Sequence, residues 1–391
     1  MVRSPLLLIT LIAAISWGQS MTSQASGSSQ ASDRPLWSGR PHPPKLTPES
    51  SGTTNRLQAI SPVSREVVWA SGVAGTYVRT TDGGATWKAG VVPGAETLQF
   101  RDVQGVSERV AYLLSAGTGT DSRIYKTENG GDTWTLQFQN QDPNAFYDCF
   151  AFWTPDRGLT TSDSVNGRFP VIRTLNGRTW EDIGDRLPTA LPGEASFAAS
   201  GTCVATQGSS RAWIGTGGSA TARILATSDG GNKWAAYGVP IIQGTPTSGV
   251  ISVDFRDSRH GILGGGELLA PTLFADTVAR SRDGGKTWSL ASRTPFPGAI
   301  YGLNYVRFVH RLGDERDTEE KSADANDFHG ADPGVSRSVV ATGPSGAAWS
   351  SDEGDTWFLL PGVANYWAVA FASPDAGWLV GTEGRILKIS F

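Results

Sequence analysis

A seven-residue turn recurs six times in this chain, and a repeat of that kind leaves room for few folds. Its first copy is Thr81-Asp82-Gly83-Gly84-Ala85-Thr86-Trp87. An acid or its amide opens the turn at Asp82, Asn129, Asn176, Asp229, Asp283 and Asp352, and a tryptophan closes it at Trp87, Trp134, Trp180, Trp234, Trp288 and Trp357. The copy at Asn176 is one residue short. Subtraction puts successive tryptophans 47, 46, 54, 54 and 69 residues apart, close to the roughly 40 to 50 residues of one propeller blade. Between turns, short β-rich runs such as residues 67–72 and 75–80 alternate with glycine-bearing reversals, and no amphipathic helical period appears. With 48 glycines and 14 tryptophans in 391 residues, the composition fits many tight turns, each backed by an aromatic ring.

The expected fold is therefore all-β, a single seven-bladed β-propeller. Six turns mark six blades, and residues 366–389 supply three more strands without a turn. A ring leaves no open edge if its last blade borrows a strand from the other end of the chain. The stretch 35–39, which contains Trp37, is the expected closing strand. The turn itself has a clear physical logic: a carboxylate or amide oxygen accepts turn N–H groups, the glycines supply positive φ, and the tryptophan packs on a neighbouring sheet. Amides at Asn129 and Asn176 preserve that chemistry but could not act as acids, so these positions are expected to be structural.

The amino terminus reads as an export signal over residues 1–20, with Arg3, an apolar run at 6–15, and Gly18-Gln19-Ser20 as a cleavage candidate. That run is too short for a permanent span. Residues 21–54 are rich in Ser, Pro and Gly and read as a linker, leaving 55–391 as the propeller. The expected location is the periplasm or outside the cell, as a monomer. A net charge of -4 provides no broad basic surface, so neither nucleic acid nor a membrane span is expected.

The turns, together with Gly377-Trp378-Leu379-Val380-Gly381, resemble the Asp-box or bacterial neuraminidase repeat, and the nearest branch looks like the photosystem II stability and assembly factor group. Phe100-Arg101-Asp102, Phe146-Tyr147-Asp148, Gly167-Arg168-Phe169 and residues 193–202 are similar to bacterial relatives loosely labelled oxidoreductases. The resemblance covers nearly all of residues 55–391 and implies a propeller that binds a partner. It does not itself select a chemistry, because one propeller scaffold serves many functions. No dinucleotide fingerprint or haem-attachment sequence is present, so no cofactor is expected.

Propellers bind ligands where inner strands and their loops converge on the axis. Polar residues at those positions are Arg56, Arg101, Asp102, Tyr147, Asp148, Glu194, Ser200, Thr202, Asp254, Tyr301 and Tyr366, with Asp163 and Arg168 just beyond the second strand of the third blade. The leading expectation is a non-enzymatic binding or assembly scaffold for a protein or glycan. The rival is a glycosidase using two channel carboxyls about 5 to 5.5 Å or 6.5 to 9.5 Å apart. Cys149 and Cys203 occupy similar places in consecutive blades, so a disulfide and two buried thiols both remain open. His42, His260, His310 and His329 lack ligand spacing, and no metal is expected. The acidic insertion 311–334 reads as a solvated loop.

Overall fold

A computed structural model describes residues 42–307 and 337–391. The export signal, the stretch 35–39 and the acidic insertion, with His310 and His329, lie outside the described residues.

Seven four-stranded antiparallel sheets form the blades. In blades I to VI the strands follow in chain order; their innermost strands are Leu57–Pro62, Phe100–Gly105, Tyr147–Thr154, Val204–Gln207, Ser248–Phe255 and Gly302–Tyr305. Blade VII begins with Tyr366–Ser373 and continues through Ala376–Gly381 and Arg385–Ser390. Each innermost strand packs against the next, and the seventh returns to the first, which closes the ring.

The strand completing blade VII is Lys45–Ser50, antiparallel to Arg385–Ser390 with Lys45 opposite Ser390. This corrects the expected linker, which was drawn through residue 54. Glu49 is the reason the strand docks: its carboxylate accepts the indole N–H of Trp87 at 2.9 Å and of Trp378 at 3.1 Å. One acidic side chain thus ties the first repeated turn to the last blade.

All six turns adopt one hydrogen-bonded form. Asp82 Oδ1 accepts the amide of Thr86 at 2.8 Å, and the hydroxyl of Thr80 accepts the amide of Gly84 at 3.0 Å. Asn129, Asn176, Asp229, Asp283 and Asp352 accept the corresponding amides at 2.8 to 2.9 Å. Gly83 and Gly84 take φ of 70° and 90°, which explains the glycine pair. In the sixth turn Glu353 takes φ 59° instead. Its buried carboxylate binds Arg256 at 2.5 Å and the Tyr305 hydroxyl at 3.3 Å, contacts that offset the backbone strain.

Apolar packing between sheets supplies the cohesion. Trp213 of blade IV stacks on Phe255 of blade V at 3.6 Å and 7°, while its indole donates to Gly284 O. Trp134 of blade II packs on Trp69 and Tyr77 of blade I. Such pairs bury large rings between neighbouring sheets.

Candidate functional site: the ring axis

Five of the innermost strands carry a β-bulge in their first half, at the second residue in four of them and at the fourth in Ser248–Phe255. A bulge inserts one unpaired residue and re-aims its side chain. The inserted residues are Gln58, Arg101, Asp148, Ile251 and Trp367; Thr202 and Tyr301 hold the corresponding places just ahead of the innermost strands of blades IV and VI. Side chains from well-separated blades then meet. Tyr301 of blade VI packs on Trp367 of blade VII at 4.9 Å, and the Arg56 guanidinium of blade I lies 4.6 Å from the Trp367 ring. Arg101 of blade II feels the charges of Arg56, Asp148 and Tyr301. Only the axis brings these blades together.

Residues 196–202, on the segment leading into blade IV, cross that axis. Ser196 donates its amide to Asp163 Oδ1 at 3.1 Å. Ala198 O accepts Arg101 at 3.0 Å, and Ser200 Oγ donates to Tyr301 O at 2.5 Å. Thr202 Oγ1 donates to Ser252 Oγ at 2.8 Å. A side chain at Gly201 would collide with the Asp102 carboxylate, so glycine permits this close crossing. The segment is pinned at one end by the Cys149–Cys203 disulfide, whose Cα atoms lie 5.9 Å apart. Phe197 and Ala199 pack with Ile251 and Ala299 beneath it.

The axial carboxylates divide by their partners. Asp102 accepts Val103 N at 2.7 Å and Phe150 N at 2.8 Å, linking blades II and III. Asp254 repeats this between blades V and VI through Phe255 N and Tyr305 N, and adds Arg307 at 2.7 Å. Glu194 is held by Arg223, by Thr216 Oγ1 at 2.6 Å and by Leu191 N at 2.8 Å. These three are latches within the fold. Asp148 and Asp163 form a different arrangement, a hydrogen-bonded acid pair. Burial, then the neighbouring Asp163 charge, pushes Asp148 well above the usual carboxylate range; Arg101 opposes the shift only in part. Burial raises Asp163 to about 6. Asp148 therefore keeps its proton and donates it to Asp163.

Other expected site residues fall elsewhere. Tyr147 is buried in the core between blades II and III against Phe138, at 5.3 Å, and burial raises its phenol. Asp148, the inserted residue of the bulge, meets Asp163 instead. Tyr366 is likewise core. Arg168 binds Asp182 and Asp185 at 2.6 and 2.5 Å away from the axial contacts.

The cationic part of the axis stands out. Neither Arg56 nor Arg101 has a carboxylate ion-pair partner among the described residues: Arg101 binds Gln99 Oε1 and Ala198 O, and Arg56 Nε is buried without a partner. Burial, then the Arg56 charge, lowers the Arg101 guanidinium, and burial raises the Tyr301 phenol. Gln58 is 0% exposed, yet neither amide atom finds a partner there. Gln58, Gln99 and Trp367 escaped the sequence reading. Aligning each blade on its second strand would have exposed the bulge position that Gln58 and Trp367 share.

No family model matches the chain, and no curated protein matches it. Solved structures do. A structure described as YCF48 bound to D1 peptide aligns at 15% identity with a TM-score of 0.57, over 90% of this chain and 98% of that one. YCF48 from Cyanidioschyzon merolae aligns at 15% identity and TM-score 0.56, over 88% and 98%. The GH74 xyloglucanase from Xanthomonas campestris gives 15% and 0.56 over 88% of this chain, which spans only 53% of that enzyme. The protein is a seven-bladed β-propeller. In fold it is similar to YCF48 and to about half of a xyloglucanase.

Proposed function

We propose that this chain is an exported, non-enzymatic binding or assembly propeller that offers the axial face of its ring to a protein partner. One observation carries the reading: three axial carboxylates are occupied as latches and two share a proton, whereas Arg56 and Arg101, beside Trp367 and Tyr301, have no carboxylate partner among the described residues. Cations and aromatic rings fixed at the centre of a rigid scaffold are suited to recognition, since little ordering entropy is lost on binding. A similar fold carries a peptide in YCF48 bound to D1 peptide, which supports a protein ligand by analogy of shape. The repeated turns act as Asp-box clasps in this reading, and residues 1–20 direct export.

A glycosidase is the second reading. It is favoured by the likeness to a xyloglucanase and by a groove of about 650 Å³ lined by Asp163 and Glu194 together with Asn144, Asn166 and Gly193. Against it, Glu194 is ion-paired and Asp163 is hydrogen-bonded to Asp148, so neither is a free acid. Two assays on the full chain separate the readings. Cross-linking in the native host should capture an exported protein, while xyloglucan and sialoside panels should remain intact. Turnover abolished by Glu194→Ala or Asp148→Ala in a folded protein would overturn the binding reading.

A further inference from the structure

The loop joining the second and third strands of blade V exposes three large apolar side chains on this same face. Leu269 is 79% exposed, Phe274 55% and Leu273 41%. Large apolar side chains clustered on one exposed loop mark an interaction site more often than isolated ones do. The loop is held in place: Leu268 donates its amide to Thr247 O at 3.0 Å, Gly298 donates to Leu273 O at 2.8 Å, and Ser345 Oγ donates to Pro271 O at 2.9 Å. It also continues into the axis, because Leu268 and Tyr301 both pack against the cluster containing Phe197 and Ile251, and Tyr301 touches Trp367, which lies beside Arg56.

The acidic groups around this loop are already engaged. Glu267 accepts Thr245, Thr247 and the Leu269 amide, and Asp276 pairs with Arg293 at 2.7 Å. Along one continuous line the face therefore presents an exposed apolar ridge, an aromatic wall and two guanidiniums that lack a carboxylate among the described residues.

Resting on the protein-binding reading above, we propose that this line is a docking surface for an extended protein segment carrying an acidic side chain flanked by large apolar residues. The apolar residues sit on Leu269, Leu273 and Phe274. The carboxylate reaches Arg56 and Arg101 over the Trp367 ring. Charge complementarity selects this occupant: a carboxylate forms charge-assisted hydrogen bonds with guanidiniums that have no carboxylate partner among the described residues. It also forms them in a partly buried setting, where such bonds are less screened than at an open surface.

The test is an array of ten-residue synthetic peptides in which acidic and apolar positions are varied, probed with the full chain. Peptides joining one Glu or Asp to neighbouring Leu or Phe should bind. Replacing the acid by its amide, or the protein's Arg56 by Ala, should weaken binding about tenfold, as expected for loss of a charge-assisted contact. Leu269→Ser and Phe274→Ser, both at exposed positions that leave the core intact, should weaken it similarly and only for peptides bearing apolar residues. Absence of acid-dependent binding, or binding unchanged in Arg56→Ala and Phe274→Ser, overturns the surface. The broader reading fails separately: a host protein that cross-links to the wild type and equally to these variants would leave a binding propeller with its surface elsewhere, whereas no cross-linked protein at all would remove the binding function itself.

Discussion

At the rim of the ring, six turns repeat one chemistry, and every carboxylate or amide oxygen there is answered by backbone amides of its own turn. At the axis one position also recurs in each blade, but its occupants are Gln58, Arg101, Asp148, Thr202, Ile251, Tyr301 and Trp367, seven different residues, several of which meet groups of other blades. The rim repeats because the same local geometry must be satisfied six times. The axis varies because each blade contributes one group to a shared centre. Buried polar atoms without a partner among the described residues occur there at Arg56 Nε and Gln58, and the recognition role proposed above draws on such groups.

If the axis is the mechanical centre as well, breaking it should cost more than breaking the rim. Replacing Cys149 and Cys203 together by Ser opens a crosslink across 54 residues. Chain entropy sets that loss at about 4 kcal/mol, to be read as a lower denaturation midpoint in urea. Asp254→Ala comes next. It removes the acceptor for Phe255 N, Tyr305 N and Asn304 and leaves Arg307 without its carboxylate, a loss of about 3 kcal/mol by the usual worth of charged hydrogen bonds. Asp283→Ala at the rim should lose only about 1 kcal/mol. Equal losses at Asp254 and Asp283 would erase the distinction.

The acid pair sharpens the comparison through pH. Burial raises both Asp148 and Asp163 in the folded state, so the native protein holds protons that the unfolded chain releases. Their contribution to stability is complete below the unfolded carboxyl range, near about pH 4. It is lost as pH rises through about 6, where Asp163 ionises, and further as Asp148 follows. Asp148→Asn keeps a neutral donor to Asp163 and should flatten that decline, giving a higher melting temperature than wild type at pH 8 and a similar one at pH 4. An unchanged slope would mean that the pair is not buried as described. The rim acids have lowered values and should behave oppositely: Asp82, held to about 2 by the Thr86 hydroxyl and amide, gains no stability from acid. The smallest effect is expected for Asn176→Asp, within a few tenths of a kcal/mol, since the carboxylate accepts the same Arg178 and Thr179 amides.

The rim was legible in the sequence because turn geometry restricts residue type: only Asp or Asn serves the acceptor, and positive φ favours Gly. Blade number followed from that repeat. The closing strand was misplaced because Lys45–Ser50 looks like linker, with a lysine, a proline and mostly exposed side chains, and its docking depends on Glu49 reaching two indoles far along the chain. The axis was only partly legible. Arg101, Asp148 and Tyr301 stood out as polar residues near inner strands, yet Asp102 and Asp254 carry the same signal and serve as latches. What separates them is one residue of bulge, which flips a side chain from a neighbouring blade toward the centre. The ridge at Leu269 and Phe274 was invisible to a search for polar chemistry.

The most direct test of the central claim places a photo-crosslinking amino acid at Leu269 on the axial face and, in a second protein, at Leu136 on the exposed outermost strand of blade II. Both full-length proteins would be irradiated in the native host. The account predicts one protein adduct at Leu269, lost when Arg56→Ala is added, and none at Leu136. Adducts at Leu136 alone, or equally at both sites and indifferent to Arg56, would contradict it.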